Sequence, residues 1–219
     1  MPIQDLSIPI RDGTDWYGEA GCAAVSVAQV GDLAAEGWRS HTLSLMVLNG
    51  TTYLETAAHL YADAPTLDQV PVARFVVRAF VVQLPEGVRE LPAPAGELPD
   101  FRAGEDAVLL SCGWDARADA TSRVPAGAAG YYHESPYFSA ELQAWLRESR
   151  PAILGGDMLS FDHPADAEMP FLRAFFETGG MILCPLVGLR QLPEVVTLCA
   201  APLRVEGCNA APCRALAWW

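Results

Sequence analysis

The sequence predicts a mixed α/β protein: a central β-sheet with flanking helices, built as one domain over residues 1–219. Three observations predict it. Apolar, β-favouring runs dominate the first half, and strand-like and helix-like segments alternate in the second. The 219 residues are 51% hydrophobic and 19% charged, the composition of a chain that fills one sizeable core. At this length a domain buries roughly 70% of its unfolded surface and needs no disulfide or metal staple.

The elements follow in order. Residues 5–10 read as a short strand ended by the turn Asp12-Gly13, and residues 42–48 as a largely apolar strand running into Asn49-Gly50. Residues 74–84 form a Val- and Phe-rich run suited to a buried strand, and residues 86–104 are a Pro- and Gly-rich connection. Residues 107–112 are a further strand. Ser139 is placed to cap a helix over 140–148, with Leu142, Trp145 and Leu146 on one face. Residues 152–154 form a short strand closed by Gly155-Gly156. Pro170 opens a second helix with Leu172, Phe175 and Phe176 inward, stopped by Gly179-Gly180. Residues 181–184 are the next strand, and this alternation predicts a parallel portion of sheet. Residues 195–203 and 213–218 read as closing strands.

Composition also excludes functions. The net charge is −13, and all 14 basic residues are Arg. Without lysine there is no Schiff base and no lysine general base. Without a basic stripe, nucleic acid is not an expected partner. Residues 1–10 carry neither a basic nor an apolar leader region, so no signal peptide is expected. The longest apolar run, 181–189, is interrupted by Pro185 and is too short to span a membrane. The expected location is the cytoplasm, where Cys208 and Cys213 stay reduced. Cys112 and Cys199 lie in strand-like runs, where Cys acts as a small hydrophobe.

The densest cluster of chemistry-bearing residues is Asn-Gly-Thr-Thr-Tyr-Leu-Glu-Thr-Ala-Ala-His at 49–59. Glu55 and His59 stand four apart and share a face if the segment turns helically. The plain reading is a solvated ion pair, with Asn49-Gly50 a simple turn and Tyr53 a core aromatic. Around this segment lie Asp5-Leu6-Ser7, Pro9-Ile10 and Trp16-Tyr17-Gly18; Leu109-Leu110-Ser111-Cys112-Gly113-Trp114; Pro136-Tyr137-Phe138-Ser139; Gly155, Asp157, Ser160 and Asp162; and Pro202-Leu203-Arg204, Ala211-Pro212 and Arg214-Ala215.

In order and spacing, these pieces resemble the kynurenine formamidase-like cyclase family over nearly the whole chain. The family signature is His-x-Gly-Thr-His-x-Asp-x-Pro-x-His. Laid on 49–59, its three His positions fall on Asn49, Tyr53 and His59, its Gly on Thr51, its Thr on Thr52, its Asp on Glu55 and its Pro on Ala57. Only Thr52 and His59 match outright. The resemblance implies a swivelling β/β/α-like fold, a dimer or larger homo-oligomer, and a zinc or manganese site completed by a later His and Glu. Those two positions fall here on Leu172 and Cys184. Zinc takes three or four imidazole, thiolate or carboxylate ligands, and Leu172 offers none, so no bound metal or other cofactor is expected.

The retained His59 occupies the family's proton-shuttle position. It is the candidate general acid/base, oriented by Glu55, whose carboxylate is expected to favour the imidazolium. Tyr53 and Asn49 are candidate oxyanion donors, and Thr52, Trp16, Tyr17, Trp114 and Cys184 candidate binding residues for a small-molecule substrate. His133 and Glu134 read as surface residues, and Asp157, Asp162, His163 and Asp166 as a solvated acidic loop. Three functions stay open: a metal-independent enzyme on a small carbonyl compound, a non-catalytic binding protein, and a metal-dependent amide hydrolase with a rearranged site.

Overall fold

Strand β4, Tyr53–Glu55, is only three residues long, yet the architecture closes on it. The structure is a computed structural model that describes residues 1–18, 21–118 and 130–219. Its strands are β1 (Ile3–Asp5), β2 (Ser26–Val30), β3 (Ser40–Ser44), β4, β5 (Val76–Gln83), β6 (Glu90–Leu91), β7 (Ala107–Ser111), β8 (Tyr137–Phe138), β9 (Ile153–Gly156), β10 (Met181–Cys184), β11 (Val195–Pro202) and β12 (Ala210–Trp218). The helices are α1 (Leu33–Glu36), α2 (Gly130–His133), α3 (Ala140–Ser149) and α4 (Pro170–Phe176), with short 3-10 turns between.

The main sheet runs β1-β12-β11-β5-β7-β9-β10-β4, and β4 pairs back onto β12. Seven strands thus form a closed barrel, with β1 added beside it. The fold is mixed α/β with a core that is mostly sheet and few helices. β5, β7, β9 and β10 are mutually parallel, as the alternation of strands and helices implies, and the other barrel contacts are antiparallel. Strand β12 closes the ring because it is long: Ala210–Pro212 pair with β4, while Cys213–Trp218 pair with β11.

The period-two alternation of side chains sorts the strands into two layers. Leu54, Leu109, Ile153, Leu183, Leu198, Ala211 and Ala215 fall in one buried cluster. Tyr53, Val108, Leu110, Leu154, Ile182 and Cys184 fall in a second, together with Leu142 and Leu146 of α3 and Phe171, Leu172, Phe175 and Phe176 of α4. Tyr53 and Glu55 therefore face away from Leu54, on the side of the barrel that carries α4.

The helices begin where capping chemistry places them. Ser139 Oγ accepts from Leu142 N at 3.2 Å to start α3. Pro170 opens α4, and the Asp162 carboxylate accepts from Phe171 N and Leu172 N at 2.8 and 3.0 Å. The acidic stretch 157–166 is thus not a solvated loop throughout. Asp157 and Asp162 are buried: Asp157 accepts from Gly113 N at 2.9 Å and so pins the end of β7 to the end of β9. His163 and Asp166 are exposed.

Two strand expectations shift. The first strand covers Ile3–Asp5, and the segment expected beyond it keeps one bridge, Ser7 to Leu186. Pro9 has no N–H to extend the ladder. The strand expected over 42–48 is Ser40–Ser44, exposed throughout and paired with β2, whose Ser-Val-Ala-Gln-Val sequence carries no clear alternation. Among the described residues no helix is long and apolar enough to cross a membrane.

Candidate active site

The site begins on β4. Tyr53 stands opposite Cys184 of β10, and Glu55 stands opposite Ile182 on that side and Ala210 of β12 on the other. The Cys184 thiol donates to Tyr53 Oη over 3.3 Å. Both are buried, and desolvation raises the pKa of each well above its ordinary value. A phenol that accepts the thiol proton keeps its own proton to donate.

Glu55 ends the strand at 3% exposure. Thr56 then caps the 3-10 turn Ala57–His59, its Oγ1 accepting from Ala58 N. This turn carries His59 back over Glu55, so that His59 Nδ1 lies 3.1 Å from Glu55 Oε1. The spacing of four brings the two together through a strand end and a turn rather than along a helix. Burial pushes Glu55 up to about 8, opposed by the hydrogen bond from Asn209. Burial also lowers His59, helped by the positive charge of Arg173. Both shifts run against the ionised pair expected of a glutamate beside a histidine, because desolvation penalises each charged form.

Tyr17 joins this group. Its phenol is raised first by burial, then by Tyr132, Cys184 and Glu55. Its ring lies 4.3 Å from that of Tyr132. Trp16 is fully buried, and its ring centroid stands 5.7 Å from Tyr131, which in turn lies 5.8 Å from Trp114. These three form an aromatic wall behind Tyr17.

Asn49 and Thr52 do different work. Asn49 Oδ1 accepts from Trp16 N at 2.7 Å, and its Nδ2 donates to Asp15 Oδ1 at 3.0 Å and to the Ala23 carbonyl at 3.3 Å. Its amide is committed to holding the loop that carries Trp16 and Tyr17. Gly50 follows with φ 101° and lies against Val25, where any side chain would clash. Thr52 Oγ1 donates to the Pro185 carbonyl at 2.6 Å and accepts from Ile8 N at 2.9 Å, locking β4 to the end of β10. Leu172 is buried in α4 among aromatic rings. His133 and Glu134 are exposed, as expected of surface residues.

Asn209 is the site residue that sequence reasoning missed. It lies in Gly207-Cys208-Asn209, where Asn reads simply as a turn former. Its Nδ2 donates to Glu55 Oε1 at 3.2 Å. Two cavities among the described residues lie elsewhere. One of about 640 Å³ lies between β5 and residues 94–100, and one of about 430 Å³ lies beside residues 5–10 and β12. Neither is lined by Tyr53, Glu55, His59 or Cys184, and the ion pair at the second, Asp5 with Arg214, is exposed. The buried acid–imidazole contact singles out the Glu55 site on chemistry rather than on volume.

Comparison with known proteins bears on the fold and the family. A family model described as "Putative cyclase" matches residues 4–163. No curated protein matches the chain. Among solved structures, a potential metal-dependent hydrolase with cyclase activity shares the fold at a TM-score of 0.75 and 21% identity, over 99% of this chain and 96% of its own. Isatin hydrolase A from Labrenzia aggregata aligns at 0.76 and 21% identity, over 99% and 93%. A predicted metal-dependent hydrolase from Bacillus stearothermophilus aligns at 0.76 and 20%, over 99% and 97%. With the family model covering most of its length and the fold shared end to end, the chain belongs to the cyclase family, to which the kynurenine formamidase-like resemblance points.

Proposed function

We propose that the protein is an enzyme of the hydrolase–cyclase kind that acts, without a bound metal, on a small carbonyl-containing metabolite. Cyclisation, dehydration, isomerisation and hydrolysis all fit the reading, and the hydrolase neighbours favour the last. The observation that carries it is the Glu55–His59 contact of 3.1 Å, with Glu55 buried and its pKa raised by desolvation. His59 is the general acid/base, Glu55 orients its ring, and the Tyr53 phenol donates to the oxyanion that develops on the substrate. With Glu55 protonated, its hydroxyl donates to His59 Nδ1 and Nε2 carries a proton to give. With Glu55 ionised, Nδ1–H donates to the carboxylate and Nε2 has a lone pair that takes a proton. Asn49 positions the Trp16–Tyr17 loop in this reading, and Trp16, Tyr17 and Trp114 shape the substrate side. The finer family architecture, swivelling β/β/α with helices flanking the sheet, belongs to the same reading.

The donors do not fit a zinc or manganese site. The Cys184 thiol is hydrogen-bonded to Tyr53, the Asn49 amide faces the loop, and Leu172 has no donor atom. Among the described residues no three His, Cys, Asp or Glu converge as ligands. Zinc needs three or four such ligands. The purified protein is therefore expected to carry well under one equivalent of zinc or manganese by elemental analysis and to keep its activity after exhaustive chelation. A full equivalent, or activity lost with the metal, would return the function to metal chemistry.

One observation favours a non-catalytic binding protein instead. Tyr53, Glu55 and Cys184 are all buried, and of the Glu55–His59 pair it is the His59 side chain, at 27%, that reaches solvent. Turnover of any amide, lactam or lactone that depends on His59 rules that alternative out.

The partner in this reading is a second copy of the chain. Among the described residues the β2–β3 ribbon pairs with no other strand, and Val30, Leu33, Trp38 and Leu43 are exposed along it. A two-stranded ribbon is marginal in water by itself and gains by packing on a neighbour. Light scattering should show a dimer or larger oligomer, and Trp38→Glu with Leu43→Glu should weaken it. A monomeric wild type would exclude this. Cytoplasmic residence completes the proposal and suits the free thiols of Cys199, Cys208 and Cys213.

A further inference from the structure

Asn209 grips the candidate site at three points. Its Nδ2 lies 3.2 Å from Glu55 Oε1 and 3.3 Å from His59 Nδ1, and those two atoms are 3.1 Å apart. Its backbone carbonyl accepts from Thr56 N at 2.9 Å and from Thr56 Oγ1 at 3.2 Å. Thr56 caps the turn that presents His59, and Ala210, the next residue, stands in register with Glu55. One residue thus holds the strand end, the cap and both ionisable side chains, from the segment that leads into the closing strand of the barrel.

We propose that Asn209 is the positioning residue of the Glu55–His59 pair: its carboxamide holds the Glu55 carboxyl in line with the imidazole and stabilises the ionised form of that carboxyl. The inference rests on the acid–imidazole reading given above and assigns the residue that controls it. An amide nitrogen is a donor only. It cannot accept a proton from either partner, so its constant contribution is an N–H directed at Glu55 Oε1. That bond is stronger to a carboxylate than to a carboxylic acid, so it favours the form in which His59 Nδ1–H points at Glu55 and Nε2 is free as a base. The direction agrees with the electrostatics, where Asn209 opposes the desolvation of Glu55. The other groups facing the pair act differently. Tyr53 and Cys184 are buried and neutral, Tyr17 is a raised phenol, and Arg173 bears on His59 without a hydrogen bond to Glu55.

The test is a nitrogen-15 NMR titration of the intact protein, which needs no substrate and so separates this inference from the question of turnover. In the wild type, the Asn209 side-chain amide and the His59 ring nitrogens should both shift as Glu55 titrates near 8. In Asn209→Ala that Glu55 midpoint, read at the His59 nitrogens, should move up by about one pH unit, because a donor to the charged form is lost. Asn209→Asp keeps the shape, removes the donor and adds a second carboxyl, so its midpoint should move up further. A purely structural Asn209 would lower the melting temperature and leave the midpoint where it was. An Asn209 amide that does not titrate with His59 in the wild type overturns the inference without any variant, as does an unchanged midpoint in a folded one. If the midpoints behave as expected and no substrate is turned over, Asn209 keeps its role and only the enzymatic reading fails.

Discussion

Replacing His59 with alanine should slow turnover of a small amide, lactam or lactone substrate by about 10²- to 10⁴-fold while the fold survives, which is the usual cost of losing a positioned general base. The fold should tolerate the change because His59 ends a surface turn and is partly exposed. The pH profile should carry the same signature. The base-competent form has Glu55 ionised and Nε2 unprotonated, so kcat/KM should rise with pH and level off above about 8, where Glu55 titrates. Chelated wild type and His59→Ala, assayed side by side, decide the matter. Equal rates would remove His59 from the mechanism.

Glu55→Gln should make the protein more stable at alkaline pH. Glu55 titrates near 8 when folded, against 4.5 for an ordinary carboxyl. Between those values the folded state holds a proton that the unfolded state has released, so stability falls as pH rises across the window and levels off above it. The difference corresponds to about 3–5 kcal/mol. Glutamine has the same shape and never ionises. Near pH 5 the variant and wild type should melt within about 2 °C of each other, and near pH 9 the variant should melt on the order of 10 °C higher. A gap that stays constant from acid to alkali would mean that Glu55 is not desolvated in the folded protein. The same variant should lose activity, though less than His59→Ala, because the ring stays in place while its tautomer is no longer set.

Much of the fold was legible because local patterns encode it. The apolar run at 107–112 and the strand at 181–184 appear within a residue of expectation, since each carries its β preference in its own composition. α3 starts after Ser139 and α4 at Pro170, because capping and proline chemistry act over three or four residues. The pairing of Glu55 with His59 was also readable, because their separation along the chain is short. So was the approach of Tyr53 to Cys184, through the family resemblance rather than through any pattern in the residues themselves. The acidic stretch misled because Asp157 and Asp162 look like solvated residues unless their backbone N–H partners, from β7 and α4, are known.

What the sequence alone determined was the strand or helix character of several segments, among them 107–112, 140–148 and 181–184, the absence of lysine, the cyclase-family resemblance, and the two residues closest to the candidate chemistry. Tertiary structure decided the rest. Closure of the barrel depends on β12 reaching both β11 and a three-residue β4, a pairing between distant segments that leaves no period in either. Asn209 meets Glu55 across 154 positions, so nothing near either residue announces the contact. The protonation of the site was also beyond the sequence. A glutamate beside a histidine reads as an ion pair, and only the burial imposed by the tertiary fold raises the pKa of one and lowers that of the other, because desolvation depends on everything packed around a group rather than on its neighbours in the chain.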